Sequence, residues 1–325
     1  MPAPRSHGLP SPTKCAVIVF AMVVLIAIPT AITLRTVESP ARLVPTSLNP
    51  TPYGYTVSLL LFIVPDVFIF VWFMRKEELH FPRRAFWWTI LILVPLFCAL
   101  DLFFARWFFR FPNCGATLRI HAFALGTPVP VEEYIFYATG ALADLLLYVW
   151  LGEFWVAAYN VIDYPGEARK VSSGLRKFHP LSLIQAAVMI GAAWLYKKHF
   201  AGPADQAGFP GYFTVLVVGG LLPAMFFYPE IRRFINWRAF SLTLFFMVLV
   251  SLIWEATLAL PYGWWSFQPP QMIGVFIGAW YGLPIEEIFV WIGVTYATVI
   301  VFEVIKVLLA SDRSVRDTLL GPKGS

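Results

Sequence analysis

Six carboxylates stand in two matching sets within sequence that is otherwise apolar: Asp101 with Glu132 and Glu133, and Glu255 with Glu286 and Glu287. In each set one acid lies inside a long apolar run, and the other two follow a proline, in Pro130-Val131-Glu132-Glu133 and Pro284-Ile285-Glu286-Glu287. Ionisable residues inside an apolar span are costly and mark functional sites by default. Unpaired burial favours the proton-bearing form of a carboxyl. Beside a second carboxylate, such a group separates a general acid from a general base. Adjacent residues in a first helical turn point about 100° apart, so one glutamate of each pair faces the neighbouring acid. The plainer reading is that first-turn acids complement the helix dipole, worth about 0.3–1 kcal/mol each. That reading explains the duplicated pairs poorly and leaves Asp101 and Glu255 without an account.

Other chemistries lack their residues. The three cysteines, Cys15, Cys98 and Cys114, are too few and too scattered for a disulfide framework or a metal site. No Gly-x-Gly-x-x-Gly points to a dinucleotide, no His-x-x-x-His cluster suits a di-iron centre, and no paired Asp-rich motifs would hold magnesium diphosphate. The expectation is acid–base chemistry with no cofactor and no metal, acting on something soluble in lipid. Asp66 and Asp144 are also buried in apolar runs but have no acidic counterpart, and read as structural hydrogen bonders. His121 precedes the first Pro-x-Glu-Glu, yet Val275 occupies the matching place, so it is not a candidate.

The elements that position these acids follow from composition and hydropathy. Of the 325 residues, 59% are hydrophobic and only 13% charged, about half the charged fraction of soluble domains, and the mean hydropathy is +0.70. A water-facing surface cannot be built from this chain. Its net charge of +5 sits in short Lys/Arg clusters between apolar runs, where it meets lipid headgroups rather than nucleic acid. A bilayer core needs about 20 apolar residues in a helix, and spans are expected near 15–34, 52–74, 86–109, 129–151, 181–198, 211–228, 238–260 and 284–309. The first follows Lys14 but is long for a signal peptide.

Sliding the chain against itself by 154 residues brings Arg84-Ala85-Phe86 onto Arg238-Ala239-Phe240, Asp101 onto Glu255, and one Pro-x-Glu-Glu onto the other without a gap. The fold class expected is therefore an all-α integral membrane protein of about eight transmembrane helices, arranged as two tandem four-helix repeats in parallel orientation. The divisions are an N-terminal tail 1–14, a first unit 15–151, a polar linker 152–180, a second unit 181–309 and a C-terminal tail 310–325. Lys and Arg concentrate in the tails and in the 2–3, 4–5 and 6–7 loops, which puts both termini in the cytoplasm, in a plasma or inner membrane. The sequence leaves self-association into a homo-oligomer open.

The segments leading to each Pro-x-Glu-Glu are rich in aromatics, including Phe104 in the first unit and Trp264, Trp265 and Trp280 in the second. Such clusters most often form interfacial belts, but aromatic faces also stabilise cations. The stretch 271–283, with Gly274, Gly278 and Gly282 on one helical face, reads as a short re-entrant or interfacial helix packed closely on another helix or on a flat ligand.

The duplicated turn, in Pro130-Val131-Glu132-Glu133-Tyr134-Ile135-Phe136 and Pro284-Ile285-Glu286-Glu287-Ile288-Phe289, preceded by an acid and an aromatic stretch, resembles the small membrane-embedded lycopene cyclases built of two homologous halves. The likeness covers roughly 84–137 and 238–291. That family's halves usually have about three spans against four here, and Val290-Trp291 stand where a second Phe is expected. The resemblance implies carotenoid biosynthesis, in which a carboxylic acid protonates the terminal alkene of a linear carotenoid such as lycopene and a carboxylate removes a proton to close the ring. Glu132, Glu133, Glu286 and Glu287 would be catalytic, with Asp101 and Glu255 as partner acids, and Phe104, Phe136, Trp264, Trp265 and Trp280 would line the polyene site. The donor in each pair is unassigned. Two other readings stand beside this one: a carotenoid hydratase, in which water captures the same cation, and a proton-coupled transporter, for which Gly219-Gly220 and Pro223 in span 6 are the feature to watch.

Overall fold

The computed structural model describes residues 52–75, 81–124, 127–172, 174–177 and 179–311, together with the isolated positions 20 and 24. Apart from positions 20, 24, 310 and 311, the first expected span, 15–34, and both tails lie outside the described residues. Among the described residues six helices are long and apolar enough to cross a membrane, as in a multi-pass membrane protein: α1 (Gly54–Arg75), α2 (Arg83–Phe108), α3 (Val131–Trp155), then, after the short α4 (Tyr164–Val171) and α5 (Pro180–His199), α6 (Gly211–Ile231), α7 (Trp237–Ala259) and α8 (Glu286–Ala310). The expected span 181–198 is helical as α5 but is not among those six; Lys197, Lys198 and His199 end it.

Helices α3 and α8 form the centre. In the described residues α3 packs against α1, α2, α7 and α8, and α8 packs against α2, α3, α4, α6 and α7. Burial follows this order. Two-thirds of the most apolar stretch of α8 is buried inside the protein (67%), against 22% for α1. The outer helices instead present large apolar side chains outward, among them Leu61, Phe68, Leu91 and Val188. A helix that is apolar all round and exposed on one side is built to face lipid.

Among the described residues three two-stranded ladders lie between the helices. Strand β1 (Phe109–Arg110), leaving α2, pairs with β4 (Ser266–Phe267), which follows α7. Strand β2 (His121–Ala124) pairs with β3 (Thr127–Pro130), and β5 (Phe276–Ile277) pairs with β6 (Leu283–Pro284). Each Pro-x-Glu-Glu proline is thus the last residue of a hairpin, opposite His121 in one and Phe276 in the other. Proline has no N–H to give a ladder and fits where the strand stops and the helix begins. The stretch 271–283 is accordingly not an α-helix; Gly278–Trp280 form a single 3-10 turn within it. Gly274 and Gly282 have φ of 95° and 75°, values that glycine adopts freely and that an α-helix excludes, and they bend the chain into the β5–β6 hairpin.

The polar linker 152–180 is largely folded. Asp163 caps α4 by accepting the Gly166 N–H at 3.1 Å. Tyr164 Oη donates to Glu303 Oε2 of α8 at 2.8 Å, and Tyr148 Oη of α3 donates to Glu303 Oε1 at 3.1 Å. This network fixes the helix ends remote from the Pro-x-Glu-Glu turns.

Candidate active site

All six predicted acids are buried: Asp101, Glu132, Glu133, Glu255, Glu286 and Glu287 are each 6% exposed or less. The two glutamates of each turn do different things, as the 100° offset requires. Glu132 turns back toward its own hairpin approach, where Oε1 accepts the Leu118 N–H at 2.7 Å and the Thr56 hydroxyl at 2.6 Å. Glu286 likewise accepts the Ile273 N–H. These bonds satisfy backbone donors that no ladder reaches, which is a positioning task.

Glu133 and Glu287 face inward. Tyr55 Oη donates to Glu133 Oε1 at 2.8 Å, and Tyr212 Oη donates to Glu287 Oε1 at 3.0 Å. Four residues further along each helix, on the same face, stands a second donor aimed at the acid of the preceding helix. Tyr137 Oη reaches Asp101 Oδ1 at 3.5 Å, and Trp291 Nε1 reaches Glu255 Oε1 at 3.4 Å. Among the described residues, the second oxygen of Asp101 and of Glu255 has no hydrogen-bond partner.

The two sets adjoin. Glu255 and Glu287 lie within electrostatic reach of each other. Glu133 lies within electrostatic reach of Asp101 on its own side and of Glu287 and Glu255 across the centre. Asp101, Glu133, Glu255 and Glu287 therefore form one cluster where α2, α3, α7 and α8 meet, rather than two separate centres.

An apolar crevice of about 80 Å³ runs beside this cluster. Asp101 and Tyr137 line it from one side, Tyr212 and Gly220 from α6, and Val290 from α8, with Phe104 at its wall. The other predicted aromatic residues are elsewhere. Trp264 and Trp265 pack on Tyr55 with ring centroids 5.5 and 5.3 Å apart, and Phe136 stacks on Trp254 at 5.2 Å. Trp280 borders a separate apolar hollow on the outer face of α7. Among the described residues no group of His, Cys, Asp and Glu is arranged to hold a metal ion.

Asp66 and Asp144 lie outside the cluster. Asp144 accepts the Thr295 hydroxyl at 2.9 Å, while Asp66 Oδ2 has no partner among the described residues. His121 sits in β2 opposite Pro130.

Four donors escaped the sequence reading: Tyr55, Tyr212, Tyr137 and Trp291. Tyr137 and Trp291 coincide at the same 154-residue shift as the acids and follow the second glutamate at helical spacing. Tyr55 and Tyr212 follow glycines in Gly54-Tyr55 and Gly211-Tyr212 and coincide only at a shift of 157, which an ungapped comparison passes over. Lys197 was missed as well; it is fully buried, and its Nζ donates to the carbonyls of Asp205, Pro269 and Met272 at 2.7, 3.2 and 2.6 Å.

Compared with protein-family models, curated proteins and solved structures, the chain has no match.

Proposed function

We propose that this chain is a cofactor-independent membrane enzyme that performs acid–base chemistry on a lipid-soluble polyene. The particular reaction we infer is the cyclisation of an end of lycopene or a related linear carotenoid. The observation that carries the reading is the cluster of Asp101, Glu133, Glu255 and Glu287, buried, held by Tyr55, Tyr137, Tyr212 and Trp291, and opening on an apolar crevice. The resemblance of the two Pro-x-Glu-Glu segments to the two-half lycopene cyclases supports the same reading.

The architecture behind it is two tandem units in parallel orientation, α1–α3 in the first and α6–α8 in the second, each with one more span at its start. The matching bonds of Glu133 and Glu287, of Glu132 and Glu286, and of Asp101 and Glu255 support this duplication.

In the reaction a carboxylic acid of the cluster adds its proton to the terminal C=C of the polyene, leaving a tertiary cation. An internal double bond attacks that cation and closes a six-membered ring. A carboxylate of the cluster then removes a proton from a carbon next to the ring cation, forming the ring double bond. One proton enters and one leaves, so the product is an isomer and nothing is oxidised or reduced. The protein contributes a proton held out of water, a carboxylate to take one back, and aromatic walls such as Phe104 that stabilise positive charge. Excluding water from the crevice prevents capture of the cation.

Expression in cells that accumulate lycopene, followed by chromatography of the pigments with mass detection, tests the reading. A new pigment of unchanged mass is expected. A product heavier by one water would make the chain a hydratase. Unchanged lycopene, with the protein in the membrane, would overturn the reading.

One observation favours a proton-coupled transporter. Residues Leu216–Leu221, with Gly219 and Gly220, form a π-turn within α6, and irregular turns in spans often accompany ion sites. The α6 span nevertheless continues through the turn to Ile231, and the turn borders the apolar crevice, which suits a greasy substrate better than an ion.

A further inference from the structure

The two acid sets match in their polar contacts but not in the space beside them. The crevice lies between α2 of the first unit and α6 and α8 of the second, and three of the residues that leave it open are Leu100, Gly219 and Val290. Leu100 and Val290 line it, and Gly219 lets Leu100 lie against the α6 backbone, since a Cβ there would come within 3.0 Å of a Leu100 methyl. At the shifts that superpose the acids and the tyrosines, their counterparts are Trp254, Phe62 and Phe136. These three meet face to edge and face to face: Trp254 to Phe62 at 5.3 Å and Trp254 to Phe136 at 5.2 Å between ring centroids. Trp254 is 3% exposed. Where Asp101 borders an empty crevice, Glu255 borders a plug of aromatic rings.

From this we propose, resting on the reading above, that only one of the two matching positions receives substrate. The end of the polyene enters beside Asp101, between α2 and α6, and Asp101 is the carboxyl that meets it. The position beside Glu255 is closed by Trp254, Phe62 and Phe136, and its acids serve the cluster from behind. The substrate is an extended apolar chain with a small branched end, because the lining offers hydrocarbon and aromatic surface and only Asp101, Tyr137 and Tyr212 as polar side chains. Each visit to the enzyme then changes one end of the molecule.

Gly220 offers a clean probe. A Cβ built there meets no atom within 4 Å, and Gly220 lines the crevice, so a larger side chain takes up space at the crevice wall without a clash at its Cβ. Gly220→Leu should lower both bound lycopene and cyclised product by about tenfold or more, the scale of an overfilled site. Phe62→Leu, at the plug, should leave both within about twofold, the scale of a conservative apolar exchange. Val290→Phe, which installs the counterpart's ring, should act like Gly220→Leu and guards against a folding defect in one variant.

The measurement is the lycopene retained per chain by protein purified in lipid nanodiscs from lycopene-accumulating cells, alongside the pigments formed in those cells. One lycopene per chain, lost in Gly220→Leu and Val290→Phe but kept in Phe62→Leu, is the expected result. Two per chain, no binding by the unsubstituted chain, or undiminished binding in both filled variants at normal membrane levels would overturn the proposal. One lycopene per chain with the expected variant pattern but no cyclised pigment would uphold the crevice and sink the cyclase reading instead.

Discussion

Trp291 donates its indole N–H to Glu255 at 3.4 Å, and Tyr137, at the matching place in α3, donates its hydroxyl to Asp101 at 3.5 Å. Both bonds are long for their type, and both tie the helix that begins with a glutamate pair to the acid of the helix before it. The relationship makes the carboxyl cluster a joint between helices.

The tyrosines that hold the inward glutamates should be separable by their surroundings. Tyr55→Phe and Tyr212→Phe each remove one donor from a buried carboxyl, at a cost of about 1–3 kcal/mol. Thermal unfolding in detergent should show comparable losses for the two. Product formation should fall further in Tyr212→Phe, because Tyr212 lines the crevice and Tyr55 lies beneath Trp264 and Trp265. Equal activity losses would argue against that distinction.

The members of each glutamate pair should also differ. In Glu287→Gln the inward-facing carboxyl is replaced by an amide that cannot give or take the proton, and product formation should drop by about 10²-fold or more, the range for an acid–base group. In Glu286→Gln the amide oxygen still accepts the Ile273 N–H, so activity should stay within about tenfold and the main change should be in stability. Pigment yields at matched membrane levels decide this, and the reverse order would reassign the roles.

Lys197 pins the approach to the second turn through three backbone carbonyls. Lys197→Met keeps the apolar stem but orphans those carbonyls, at about 1–3 kcal/mol for each that water cannot reach. Limited proteolysis should then cut the stretch between α7 and α8 faster than in the parent protein, while the helices stay protected. Unchanged cleavage would show that the loop holds without it.

At the linker, Glu167 meets Lys170 at 2.7 Å and Arg233 at 2.9 Å. Its hydrogen bond with Lys170, with the charges of Lys170 and Arg233 beside it, holds the Glu167 carboxyl below its ordinary range. A carboxyl lowered on folding contributes stability that is present above its unfolded value of about 4.3 and lost as the pH falls through the lower folded value. Glu167→Gln should therefore melt slightly earlier than the parent at pH 7, and the two melting curves should converge in acid. A difference that persists in acid would point to another cause.

The acids were legible in the sequence because carboxylates are scarce in apolar spans, so that two sets at one shift stand out. The division of labour within Glu132-Glu133 followed from helical geometry alone, and only its direction needed the structure. What the sequence hid was of two kinds. Tyr55 and Tyr212 are set out of register by a three-residue difference in loop length, so the shift that aligned the acids misaligned their donors. The segment 271–283 carries glycines at helical spacing, yet Gly274 and Gly282 are there for positive φ, and spacing alone does not separate a smooth helical face from a pair of bends. The plug was hidden for a third reason: Trp254 and Phe136 look like any membrane aromatics until their rings are seen to fill the space that Leu100 and Val290 leave empty.

The carboxyl cluster draws on α2 and α3 from one half of the chain and α7 and α8 from the other, with β1 and β4 laced across the join. Neither stretch alone contains all four of these carboxyls. Joining both in a single polypeptide fixes their stoichiometry at one to one and replaces a chance encounter in the plane of the membrane with a tethered one, at an effective concentration set by the connector. Because that connector folds onto α8 through Tyr164 and Glu303, it acts as a short strap that ties the ends of the helices carrying the cluster.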